Sequence, residues 1–120
     1  MSISYYDSII AECDKKIAEL TDSKNQVISV LPSVVSCSNN TAKVNTRFSN
    51  LVFFNEPFGS SEIANVSNVI ENVESNLNFI VDECNEKISE YLSKRAAAEA
   101  AKAALIAEMS RARSLNNKKE

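Results

Sequence analysis

The stretch Ser61–Arg113, SEIANVSNVIENVESNLNFIVDECNEKISEYLSKRAAAEAAKAALIAEMSRAR, contains neither Pro nor Gly. Its apolar residues recur at Ile63, Val66, Ile70, Val73, Leu77, Ile80, Cys84 and Tyr91, with Lys87 as the polar interruption. Spacings that alternate three and four are those of a helix burying one narrow stripe against another helix. At 1.5 Å per residue, a helix of roughly 50 residues is about 80 Å long. Such a rod cannot bury its stripe against itself, so it needs a partner in the same chain or in another.

The preceding half of the chain supplies one. Tyr6, Ile10, Cys13, Ile17, Leu20, Lys24, Val27, Leu31 and Val34 repeat the same alternation, broken only by Lys24, whose stem can lie along the seam while its amine reaches water. Ser2 or Ser4 can cap this first arm. Pro32 removes a helical donor and crowds the preceding turn, so the arm is expected to kink or break near Pro32–Asn40. Ser36–Asn40 reads as a loop and Thr41 as the cap of a shorter helix ending near Phe53.

The stretch Phe53–Ser60 carries three of the five Phe, one of the two Pro and the only Gly. Gly59 gives the backbone freedom a reversal needs, and Ser60 or Ser61 can cap the second arm. The expected fold is therefore all-α. It is an elongated antiparallel hairpin with coiled-coil-like arms at about 3–53 and 61–113, a turn at 54–60 and a frayed polar tail at 114–120. Folding about that turn puts residues whose numbers sum to roughly 115 side by side. Lys43 and Arg47 would then face Glu71 and Glu74, and Cys13 and Cys84 would lie too far apart to bridge.

Composition narrows the function. A net charge of −3 offers no general basic footprint for nucleic acid. The absence of His removes the usual general base and the commonest metal ligand. One Gly cannot build a phosphate-binding loop. Glu71, Glu74, Asp82 and Glu83 read as a solvated face rather than a catalytic pair. The chain is accordingly expected not to be an enzyme and to use no cofactor or metal. Three cysteines suggest free thiols in a reducing compartment, with Cys13 and Cys84 serving as small seam residues. The N-terminus lacks a basic, then apolar, leader pattern, and no run approaches a membrane span. The expectation is a cytoplasmic protein, with leaderless export left open.

Val69, Phe79, Val81, Ile88 and Leu92 on the second arm, and Ile3, Ile9, Ile28, Val30 and Val35 on the first, flank the seams and exceed what one mutual seam can cover. Surplus apolar flanks mark an interaction surface, and a further helical hairpin completing a four-helix bundle is its natural occupant. Tyr5 and Tyr6 read either as recognition aromatics or as the closing end of the seam. The basic Arg111, Arg113, Lys118 and Lys119 suit a helix C-terminus and, more sharply read, form a contact patch.

A small, acidic helical hairpin with an aromatic–Gly turn resembles the WXG superfamily of type VII secretion. It is most similar to the small helical partners encoded with LXG toxins (the Lap, or YwqH-like, proteins). Phe58–Gly59 stands where that family has Trp-x-Gly, without the Trp or the spacer. Phe79–Ile80–Val81–Asp82–Glu83 satisfies a relaxed form of the family's aromatic-xxx-acid export motif. Tyr91 does not, since Arg95 stands at its fourth position. The resemblance implies a targeting factor or chaperone-like protein. It would bind the N-terminal helical domain of an LXG-type toxin for type VIIb secretion, beside a second small helical protein, and help present it to the secretion ATPase. Phe79, Glu83, Asp82, Phe58, Gly59, Val69, Ile88 and Leu92 are the candidate partner-binding and export residues. The competing reading is a self-assembling coiled-coil scaffold or adaptor, for which a homodimer of this chain suffices.

Overall fold

A computed structural model describes residues 2–49 and 60–119. It contains two helices, α1 (Ile3–Ser49) and α2 (Ser60–Lys119), packed as an antiparallel helical hairpin. Pro57, Phe58 and Gly59, on which the expected turn rests, lie outside the described residues. Ser2 is the cap of α1. The amide of Tyr5 donates to its Oγ at 3.2 Å, and the amides of Tyr5 and Tyr6 reach its carbonyl at 3.1 and 3.3 Å.

The expected break in α1 does not occur. The helix continues through Pro32 and through Ser36–Asn40. Pro32 leaves the carbonyl of Ile28 without its helical donor, but both residues are exposed, so water can replace it. Hydroxyl side chains around this stretch bond back into the helix. Thr41 Oγ1 donates to the carbonyl of Cys37 at 2.9 Å, so Thr41 is an interior residue and not a cap. Thr46 Oγ1 does the same to Ala42 at 3.0 Å, and Ser29 Oγ to Gln26 at 2.7 Å. Leu31 and Val34, either side of the proline, both remain on the half-buried face. At its far end α2 stays helical to Lys119, through most of the stretch expected to fray.

The chain forms two compact units. The first comprises Met1–Asp22 and Cys84–Glu120, and the second Ser23–Glu83. Among the described residues of the first unit the buried side chains are Cys13, Ala98 and Cys84, at 2, 5 and 8 % exposure. A seam between two helices is one side chain deep, so only small residues disappear into it and larger ones stay half covered. Cys13, Cys37 and Cys84 are all free thiols, the first and last buried as expected. Tyr6 lies on the covered face while Tyr5 is exposed and meets it edge-on, with ring centroids 5.4 Å apart.

Two ion pairs join the helices of this unit. Arg95 Nε donates to Asp14 Oδ1 at 2.6 Å, and Lys102 Nζ lies 2.6 Å from Asp7 Oδ1. Moving one heptad up α1 moves one heptad back along α2, as antiparallel register requires. Arg95 also binds Glu99 at 2.6 Å. Its guanidinium is held above its usual pKa, chiefly by the hydrogen bond to Asp14, and stays charged throughout. This register is displaced by about six residues, nearly two helical turns, from the one expected. No ion pair joins Lys43 or Arg47 to Glu71 or Glu74 among those found between described residues.

Candidate partner-binding surface

The heptad positions define the surface. On α1 the covered face follows the expected seam, from Tyr6 through Val34, and continues to Ser38 and Thr41. On α2 the expected seam is half right. Ile70, Leu77, Cys84 and Tyr91 are covered, but Val66, Val73 and Ile80 are 50, 41 and 42 % exposed. Their places are taken by Ser67, Glu74, Val81 and Ile88, and beyond them by Arg95 and Lys102. The face of α2 turned toward α1 is therefore rotated by one residue at alternate positions. Lys87 is freed to the surface, where it pairs with Glu90 at 3.4 Å.

Within the second unit this rotation has a cost. It half-buries Ser67 and Glu74 in the seam while leaving three aliphatic side chains outside it. With Ile70 and Leu77 at position d and Ser67, Glu74 and Val81 at position a, the outward valines and isoleucine occupy position g. On α1 the same position is held by Val30, Cys37 and Val44, with Val30 49 % and Val44 42 % exposed. In an antiparallel pair the two g positions border the same side of the seam. There, Ser33, Val34 and Cys37 of α1 and Val69, Ile70 and Val73 of α2 line an apolar groove of about 300 Å³. No charged residue occurs from Asn25 to Ala42, so the α1 wall of the groove is electrically neutral as well as apolar.

The candidate residues distribute unevenly around this groove. Val69 is in it, 61 % exposed. Phe79 is 62 % exposed at position f, facing away from the seam, and Glu83 lies one turn further along the same side of α2. Asp82 is exposed beside them. Ile88 is half-buried on the seam face of the first unit, and Leu92 of that unit is 51 % exposed. Phe58 and Gly59 lie outside the described residues. The groove's other lining residues were not among the candidates. Val34, Ile70 and Val73 read as seam residues in the sequence, and Cys37 as part of a loop.

No family model, curated protein or solved structure matches the chain. Among the described residues, no helix is long and apolar enough to cross a membrane.

Proposed function

We propose that the hairpin is a non-catalytic partner protein whose second unit, Ser23–Glu83, supplies two helices of a larger helical bundle. One observation carries this reading: Ser67 and Glu74 are half-buried in the seam while Val66, Val73 and Ile80, one residue away, remain exposed. A strict a/d stripe suffices for a two-helix seam, whereas apolar residues left outside it, as at g here, suit bundles of more than two helices. A local rule broken without gain to the free hairpin is expected where a surface serves another molecule.

The resemblance to the helical partners of LXG toxins supports a specific occupant, the N-terminal helical domain of such a toxin. Bound there, the hairpin acts as a targeting factor for type VIIb secretion. Phe79 and Glu83, exposed on the outer side of α2, remain free for a third protein such as the secretion ATPase. The test is size-exclusion chromatography of the full chain with the helical domain of a neighbouring LXG-type toxin. A new, earlier peak containing both proteins is expected, and its loss with Val69→Glu. Unchanged elution of both proteins would rule the reading out.

A further inference from the structure

We infer that the C-terminal end of α2 is a docking site for an acidic amphipathic helix of another protein, which abuts the start of α1 and carries the seam of the first unit onward. The site belongs to the other unit from the groove at Val69, and the inference does not depend on the reading given for that groove.

The seam of the first unit is open at one end. Asp7 lies level with Lys102 and Asp14 with Arg95, a register that sets Ile3, the first residue of α1, beside Ile106. From there α2 stays helical to Lys119, roughly 20 Å further. Ile3, Ile106, Met109, Ser110 and Arg113 line a groove of about 150 Å³ at this end. Counting on from Ala98 and Leu105 at position d and Lys102 at position a, the next seam positions are Met109 at a and Ala112 at d. Ile106 and Met109 are each 44 % exposed, and Leu115, at the bordering position g, is 61 % exposed. Every residue from Ile106 to Asn117 is exposed. The face of α2 that meets α1 thus continues beyond it, with no described residue to cover it.

Charge selects the occupant. From Met109 to Lys119 the chain carries Arg111, Arg113, Lys118 and Lys119, and all sixteen Asp and Glu lie outside this stretch. Arg95 and Lys102 pair with Asp14, Glu99 and Asp7, whereas the ion pairs found between described residues include neither Arg111 nor Arg113. The helix dipole does not account for these two, since its effect is confined to the last turn and they lie eight and six residues before Lys119. Arg113 stands in the groove at position e, one turn from Met109, where a neighbouring helix sets the charges that border its own seam. A helix apolar at a and d and acidic at e and g answers both features. Nucleic-acid phosphates would answer the cations and leave Met109 and Leu115 without an apolar contact. An anionic bilayer favours cations on the side opposite the apolar residues, whereas Arg113 shares their face.

The two methionines of the chain are Met1 and Met109, so methionine methyl signals report on the site directly. The full chain, labelled with carbon-13 at the methionine methyls, is to be titrated with a three-heptad peptide carrying Leu at a and d and Glu at e and g, and with the same peptide carrying Lys at e and g. Met109→Leu assigns the signal. The Glu peptide should shift the Met109 signal to saturation, and the Lys peptide should leave it in place. Arg111→Glu combined with Arg113→Glu should weaken binding by about tenfold, and Val69→Glu should not change it. A Met109 signal unmoved by the Glu peptide, equal shifts from both peptides, or loss of binding in Val69→Glu overturns the inference. So does a Met109 shift reached at lower concentration with a DNA duplex or with phosphatidylglycerol vesicles than with the Glu peptide.

Discussion

Replacing Val81 by Asn, and separately Ile80 by Asn, tests which face of α2 meets α1. The two residues are neighbours, and their native side chains differ by one carbon. Asn and Val have nearly equal helix propensities, and Ile is close to both, so intrinsic helix formation contributes little to the difference. Val81 is half-buried on the seam face, while Ile80 is 42 % exposed at position g. Losing about half of a valine's burial costs about 1 kcal/mol. Holding an amide in the seam without full hydrogen bonding adds about 1 kcal/mol or more. Val81→Asn should therefore destabilise by about 2 kcal/mol and lower Tm by roughly 6–10 °C in a chain of this size. Ile80→Asn places its amide in water and should cost less than about 1 kcal/mol, although it deletes the larger side chain. The assay is thermal and urea unfolding by circular dichroism at 222 nm, at a concentration where the chain is monomeric. An Ile80 variant as unstable as the Val81 variant, or less stable, would refute the rotated seam and the groove built on it.

Other perturbations probe separate features. Pro32→Ala restores a helical donor at an exposed position inside α1 and should raise stability by about 1–3 kcal/mol, read as a higher urea midpoint. Ala98→Leu overfills a site that is 5 % exposed and should cost about 1–3 kcal/mol, whereas Ala97→Leu, on the exposed side, should leave the unfolding midpoint nearly unchanged. A thiol reagent should label Cys37 at once and Cys13 and Cys84 only as the helices unfold, which mass spectrometry of timed samples can follow. Asp14→Asn breaks the cross-helix pair with Arg95 and should lower Tm slightly in dilute buffer, with the loss vanishing in high salt.

The helical hairpin was legible because a three-four alternation over tens of residues has few other meanings, and the α1 seam from Tyr6 to Val34 can be read without error. The continuity of α1 was less legible. Pro32 and the Ser/Asn run Ser36–Asn40 carry strong local breaking signals, but Leu31, Val34, Ser38 and Thr41 stay in phase across them. Packing in phase outweighed local preference, as tertiary context does when a long amphipathic helix is already nucleated on both sides. Register was the least legible property. In the first unit it shows in the Asp7–Lys102 and Asp14–Arg95 pairs, which only become partners once the register is known.

The misread seam on α2 and the proposed partner surface have one cause. Ile70, Leu77, Cys84 and Tyr91 belong to either reading, and the choice between Val66–Val73–Ile80 and Ser67–Glu74–Val81 is a choice of which side accompanies them. On hydrophobicity within the second unit, the first set wins. The second set is the one covered, and it is in phase with Ile88, Arg95 and Lys102, two of which pair with α1 in the first unit. With Ser67 and Glu74 half-buried on the seam face, Val66, Val73 and Ile80 face out, 50, 41 and 42 % exposed. Had those positions been polar, the seam would have been read correctly from the sequence and the second unit would have had no surface to offer a third helix.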